Sequence, residues 1–112
     1  MSLPVVVLPE AERNVRDTVA WLHQRSPSGA EAWFHAWEEM LERLSIVAPS
    51  SVRAPEDATR EIEIRQVTFK TRRGRPYRAL FTIRDDIVYV MHVRGPRQNI
   101  MAPEDIISPD ES

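Results

Sequence analysis

An α+β fold with the order β-α-α-β-β-β follows from three features of the sequence. Apolar residues recur at helical spacing in two stretches between residues 10 and 46, separated only by Ser26-Pro27-Ser28. β-branched and aromatic residues dominate 62–70, 76–84 and 87–94, with turn residues between them. A short valine run, Val5 to Val7, stands ahead of the first helix. The expected architecture is a helical hairpin packed on one face of a small, mostly antiparallel sheet.

Val5, Val6, Val7 and Leu8 form a first strand over 4–8, expected to be buried, which stops at Pro9. Pro9 suits the first turn of a helix, and Glu10 and Glu12 favour its positive end. Ala11, Val15, Thr18 and Leu22 share one face, with Val19 beside them, which predicts a helix over 10–25. Two start signals compete for the next helix. Ser28 with Glu31 has capping-box spacing, and Ser26 precedes Pro27 at a possible first helical position. Ala30, Trp33, Phe34, Trp37, Leu41 and Leu44 make the apolar stripe of a helix over 28–46. So short a link folds the two helices back antiparallel.

Residues 48–60, with Pro49 and Pro55, read as a loop. In 62–70, Ile62 and Ile64 alternate with Glu63 and Arg65. The apolar parity then shifts to Val67 and Phe69, which predicts a bulge near Arg65–Gln66. Arg72-Arg73-Gly74-Arg75 is a turn. Asp85-Asp86 is a two-residue turn between the last two strands. Residues 1–101 are expected to form one domain. Residues 102–112, with Pro103 and Pro109, are an acidic tail expected to fray.

The 112 residues suffice for one hydrophobic core. The absence of cysteine excludes disulfides, thiol nucleophiles and cysteine metal sites. Leu3 to Leu8 is too short for a signal sequence, and no stretch approaches the roughly 20 apolar residues of a membrane span. A cytoplasmic protein without a membrane partner is expected. His23 and His35 have no ligand spacing with acids, and the three glycines make no phosphate-cradling loop. No metal or cofactor is expected.

Charge is segregated. Residues 1–63 carry six Arg and eleven acids, net −5; residues 64–101 carry net +7; residues 102–112 carry net −4. Such segregation produces a local potential that attracts anionic partners. The cations are fourteen Arg and one Lys. Arg suits bidentate contacts to phosphate or carboxylate, and a GC-rich genome produces the same bias. Pairing about the Asp85-Asp86 turn places Tyr77 across from Arg94 and Arg78 across from Val93. Arg72, Arg73, Arg75, Arg78, Arg94 and Arg97 are then expected to converge at one sheet edge, with no acid there to neutralise them. The bland alternative is a solvated edge that blocks sheet-to-sheet aggregation. His92 is expected to share a face with Val88 and Val90 as a packed histidine. Trp33 and Trp37 belong to the core stripe. Trp21 aligns instead with Asn14 and Asp17 on the polar side of its helix, and exposed tryptophan marks interfaces.

The chain resembles the RelE/ParE superfamily of toxins from type II toxin–antitoxin (plasmid stabilisation) systems. The resemblance covers roughly residues 4–100. It is carried by Val5–Leu8 followed by Glu10-Ala11-Glu12-Arg13, by the helical hairpin with Ala30 and Leu41 and Leu44 leading to Pro49, by Tyr77-Arg78-Ala79-Leu80-Phe81, and by Arg94-Gly95-Pro96-Arg97. The resemblance implies a growth-inhibiting toxin with a co-encoded antitoxin as partner and DNA gyrase or the ribosome as target. RelE-like members cut messenger RNA on the ribosome, metal-independently, and ParE-like members inhibit gyrase. In the ribonucleases, the arginines at positions matching Arg78 and Arg97 serve the scissile phosphate. Those enzymes commonly place a tyrosine or histidine after the last strand, and here no tyrosine follows Tyr89 and no histidine follows His92. With its long helical hairpin, the chain is closer to the ParE arm. Three readings follow. The chain is a binding toxin, a ribosome-dependent endoribonuclease using Arg78 and Arg97, or a non-toxic interaction module. Trp21 is the expected antitoxin contact, and the six arginines are the expected target or phosphate contacts.

Overall fold

The computed structural model describes residues 2–59, 62–98 and 100–111. The elements in chain order are β1 (Val5–Val7), α1 (Pro9–Arg25), α2 (Pro27–Val47), β2 (Arg65–Phe69), β3 (Tyr77–Arg84) and β4 (Ile87–Arg94). The four strands form one sheet in the order β1-β4-β3-β2. β3 is antiparallel to both neighbours, and β1 runs parallel to β4. The fold is α+β, with the helical hairpin against one face of this mixed sheet.

The parallel pairing reaches beyond the three strand residues. Val88 N–H donates to Pro4 C=O and Leu8 N–H to Val90 C=O, both at 2.9 Å. β1 is an edge strand, however, and Val6 is exposed while Val5 and Val7 are half-buried, so the expected burial holds only for Leu8. Of the two start signals for α2, the structure uses Ser26 and Pro27. Pro27 occupies the first turn, and Gly29 N–H donates to Ser26 Oγ at 3.0 Å.

α2 turns Ala30, Trp33, Trp37, Met40 and Leu44 into the core. Phe34, expected in that stripe, is instead exposed. The tryptophans meet aromatic side chains of the sheet. Trp33 lies 5.4 Å from Phe69 and 5.2 Å, edge-on, from Tyr77, and Trp37 lies 5.8 Å from Phe69. Each buried side chain of this size contributes about 1.5–3 kcal/mol. Ala79, Phe81, Val88, Val90 and Val93 complete this core from the sheet.

The other face of the sheet is also covered. Leu8, Ala54, Ile64, Leu80, Met91, Met101 and Ile106 form a second buried cluster there. This corrects two expectations. The tail does not fray over 101–108, because Met101, Ile106 and Ser108 are buried. The bulge expected near Arg65–Gln66 is absent, since β2 pairs in continuous register with β3 from Arg65 to Phe69. Ile62 and Ile64 serve the second core while Val67 and Phe69 serve the first. A strand apolar on both faces imitates a parity shift.

The irregularity lies instead between β3 and β4. Leu80 pairs with His92 and Phe81 with Val90, which leaves Met91 as the extra residue. The insertion reverses the alternation of β4. His92 therefore faces the second side with its neighbour Met91, not the Val88 and Val90 side, although it is packed as expected. The turn matches expectation. Arg84 pairs with Ile87, and Asp85 and Asp86 take positive φ of 53° and 61°. That is the left-handed geometry of a two-residue hairpin, which Asp tolerates.

Candidate functional site

The six arginines do not share one surface, because β3 alternates. Tyr77, Ala79 and Phe81 point toward the helices, and Arg78 and Leu80 point away. Arg78 therefore meets the segment before β2. Its Nη1 and Nη2 donate to Oε1 and Oε2 of Glu56, each at 2.9 Å, and Nη1 also donates to Gln66 Oε1 at 3.0 Å. Glu56 lies on the short 3-10 turn Pro55–Thr59 and is fully buried. Its second oxygen accepts the Met101 N–H at 2.9 Å. Burial alone would push the Glu56 carboxyl up. The hydrogen bonds from Arg78 and Met101, with the Arg78 charge, outweigh it and hold the carboxyl at about 2. The expectation that no acid neutralises the arginines is thus corrected at Arg78.

Because the extra residue Met91 shifts the expected register by one, Arg94 pairs with Arg78 rather than with Tyr77 and faces the same side. It lines a cavity of about 700 Å³ with Glu10, Arg13, Asn14, His92 and the segment 100–107. Burial, and then the neighbouring Arg78 charge, push the Arg94 guanidinium below its ordinary value. Asn14 Oδ1 accepts the Val93 N–H at 2.9 Å and ties α1 to this end of β4. His92 Nε2 accepts the Ile107 N–H at 2.9 Å. Burial pushes the imidazole below its ordinary value. In this arrangement His92 has its ring acceptor occupied by backbone and holds the fold together.

Arg75 and Arg97 belong to a different surface. A groove of about 900 Å³ opens at the corner between the helices and the strand ends. The end of α1 supplies Asp17, Trp21 and Arg25. The start of α2 supplies Ser26, Gly29 and Trp33. The β2–β3 turn supplies Thr71, Gly74 and Arg75, and the loop after β4 supplies Gly95, Pro96, Arg97 and Gln98. Trp33 and Tyr77 contribute apolar surface, and the exposed Arg25, Arg75 and Arg97 join them, with Asp17 as the only acid among the described lining residues. The loop is shaped by a bond from Gly95 N–H to Gln98 Oε1. Trp21 is 51 % exposed, and the Arg25 guanidinium lies 3.8 Å from its ring centroid. That distance is a cation–π contact, which holds a charge at the lip of the groove. Arg72 and Arg73 sit in the adjacent β2–β3 turn, exposed. Among the described residues, Arg72, Arg73, Arg75 and Arg97 have no ion pair.

Sequence reasoning grouped Arg75 with Arg97 and brought Trp21 forward apart from them, and the structure joins all three in one groove. It missed Arg25, although the spacing of four from Trp21 on a helix was a signal. It also missed Glu56, for which an acid inside a loop gives none. Among the described residues no cluster of His, Asp and Glu could hold a metal ion, and no helix is long and apolar enough to cross a membrane. No protein-family model matches this chain, and no curated protein matches it significantly.

Proposed function

We propose that this chain is the toxin of a bacterial toxin–antitoxin module, cytoplasmic, acting by binding a cellular target such as DNA gyrase and neutralised by a co-encoded antitoxin. The observation that carries the reading is the groove at the helix–sheet corner. It combines an exposed tryptophan with the guanidiniums of Arg25, Arg75 and Arg97 and apolar surface from Trp33 and Tyr77. Such a surface suits a protein partner with acidic and apolar side chains, because desolvated aromatic and arginine anchors supply most of the affinity at interfaces. The resemblance to the RelE/ParE superfamily and the β-α-α-β-β-β order support the toxin assignment. The state of Arg78 supports binding over phosphodiester cleavage. Its guanidinium is held by Glu56 on the face of the sheet away from the groove, whereas phosphate chemistry would require it beside Arg97.

Two assays run side by side test this reading. The purified protein is expected to inhibit gyrase supercoiling, or to bind another protein target, and to leave messenger RNA intact on programmed ribosomes. Codon-dependent cleavage lost in Arg78→Ala would make the chain a RelE-type endoribonuclease instead. Neither activity, together with no growth arrest on expression, would leave the groove as the contact of a non-toxic interaction module.

A further inference from the structure

We propose that the C-terminal segment 100–111 is a releasable strap over the helix-free face of the sheet, latched at His92 and opened by protonation of that imidazole. The inference does not depend on the toxin reading. It starts from the direction of one hydrogen bond. The Ile107 N–H donates to His92 Nε2 at 2.9 Å. The lone pair that accepts it is the one a proton would take. An imidazolium carries two donors and no acceptor, so protonated His92 would face the Ile107 N–H donor to donor. His92 is also only 3 % exposed, so a charged ring there would be without hydration. Lifting the strap relieves both penalties together.

The charges around the ring partly cancel. α1 presents Glu10 and Arg13, β4 presents Arg94 beside Arg78 of β3, the 3-10 turn before β2 presents Glu56, and the strap itself presents Glu104 and Asp105. Burial prevails over them and sets the imidazole below its ordinary value of about 6.5. The sign follows from that direction. The latch is fully closed above about pH 6.5 and loses stability as pH falls from there toward the folded value, by up to about tenfold per unit.

The strap's other anchors include Ile106 and Met101, buried in the second core, the buried Ser108, and the Met101 N–H bonded to Glu56. Asp110 pairs with Arg84, but its carboxylate is 74 % exposed, so that pair contributes little. The strap carries only two short 3-10 turns, Pro103–Asp105 and Pro109–Glu111, and adds no strand to the sheet. It can therefore open while the sheet stays intact. Opening uncovers Leu80, Met91 and His92.

The test is amide hydrogen exchange of the full chain by NMR between about pH 8 and pH 5, with the His92 ring signals followed in parallel. The protection factor of Ile107 is expected to fall below about pH 6.5, by up to about tenfold per unit. Val15 in α1, which opens only with the whole fold, should stay much better protected than Ile107 throughout. The fall should level off where the His92 ring titrates in the closed protein. His92→Gln, which keeps an acceptor that does not titrate, is expected to flatten the dependence. Constant Ile107 protection, a dependence that persists in His92→Gln, or Ile107 as well protected as Val15 would each overturn the latch. If His92→Gln does not fold, the wild-type curves decide. A fall in Ile107 protection that starts near about pH 6.5 and levels off where the His92 ring titrates supports the latch, and a fall unrelated to that titration defeats it.

Discussion

Glu56 and Arg78 show how a single side chain can be placed correctly and still be misread. That Arg78 sits inside a strand was legible from the alternation of Tyr77 to Ile83. Its partner was not, because Glu56 lies 22 residues earlier in a segment without periodicity. Replacing Glu56 with Ala leaves a largely buried guanidinium without its carboxylate, so the expected cost is about 3–5 kcal/mol in urea unfolding. The same pair makes an acid prediction. A carboxyl held at about 2 contributes stability above its unfolded value near 4.5, and that contribution is lost as pH falls from there toward about 2. Wild type should lose stability over that window by more than a Glu56→Gln, Arg78→Met variant does. Trp21 is the opposite case. Its exposure was legible from its alignment with Asn14 and Asp17. Trp21→Ala should leave the monomer within about 0.5 kcal/mol of wild type, as is usual for surface changes, while weakening the proposed antitoxin complex in a titration.

Among the elements, the helices were the most legible and the strand faces the least. A helix declares its period over many residues, and its cap is a local matter. Ser26 is the only side chain that bonds an orphan N–H at the start of α2, so Ser26→Ala should cost about 1 kcal/mol. Thermal unfolding would check this, with Ser28→Ala expected to cost less because Ser28 lies inside the helix. The strands misled because their periodicity assumes one buried face. With Ile64 and Leu80 buried on one side and Phe69 and Phe81 on the other, alternation no longer reports register. The insertion of Met91 has no sequence signature, and with it went the face of His92.

Across the whole molecule, the +7 segment is neutralised unevenly. Arg65, Arg78 and Arg84 are paired with Glu63, Glu56 and Asp110, which come from segments outside the sheet. Arg75 and Arg97, without an ion pair among the described residues, line the groove, and Arg72 and Arg73 sit in the turn beside it. Charge segregation was therefore legible, but only the three-dimensional pairing shows which third of it faces solvent. A double Arg75→Ala, Arg97→Ala variant should bind its target more weakly than wild type. The difference should shrink as salt rises from about 0.05 M to about 0.5 M, because exposed charges are screened beyond roughly 10 Å at 0.1 M. A difference independent of salt would place these side chains in a desolvated contact instead.

The parallel pairing of β1 with β4 sets a schedule for the chain's synthesis. Val5 to Val7 are made long before their partners Val88 to Val90. Between them the helical hairpin can form, yet its apolar face has no sheet to bury against until β3 and β4 have left the ribosome. Contacts that span most of the chain are slow to close, and the loop between them must be ordered first. Maturation of the sheet therefore waits until β4 has been made. The groove, assembled from both helices, the β2–β3 turn and the loop after β4, has no earlier precursor, and its surface exists only once that loop has emerged.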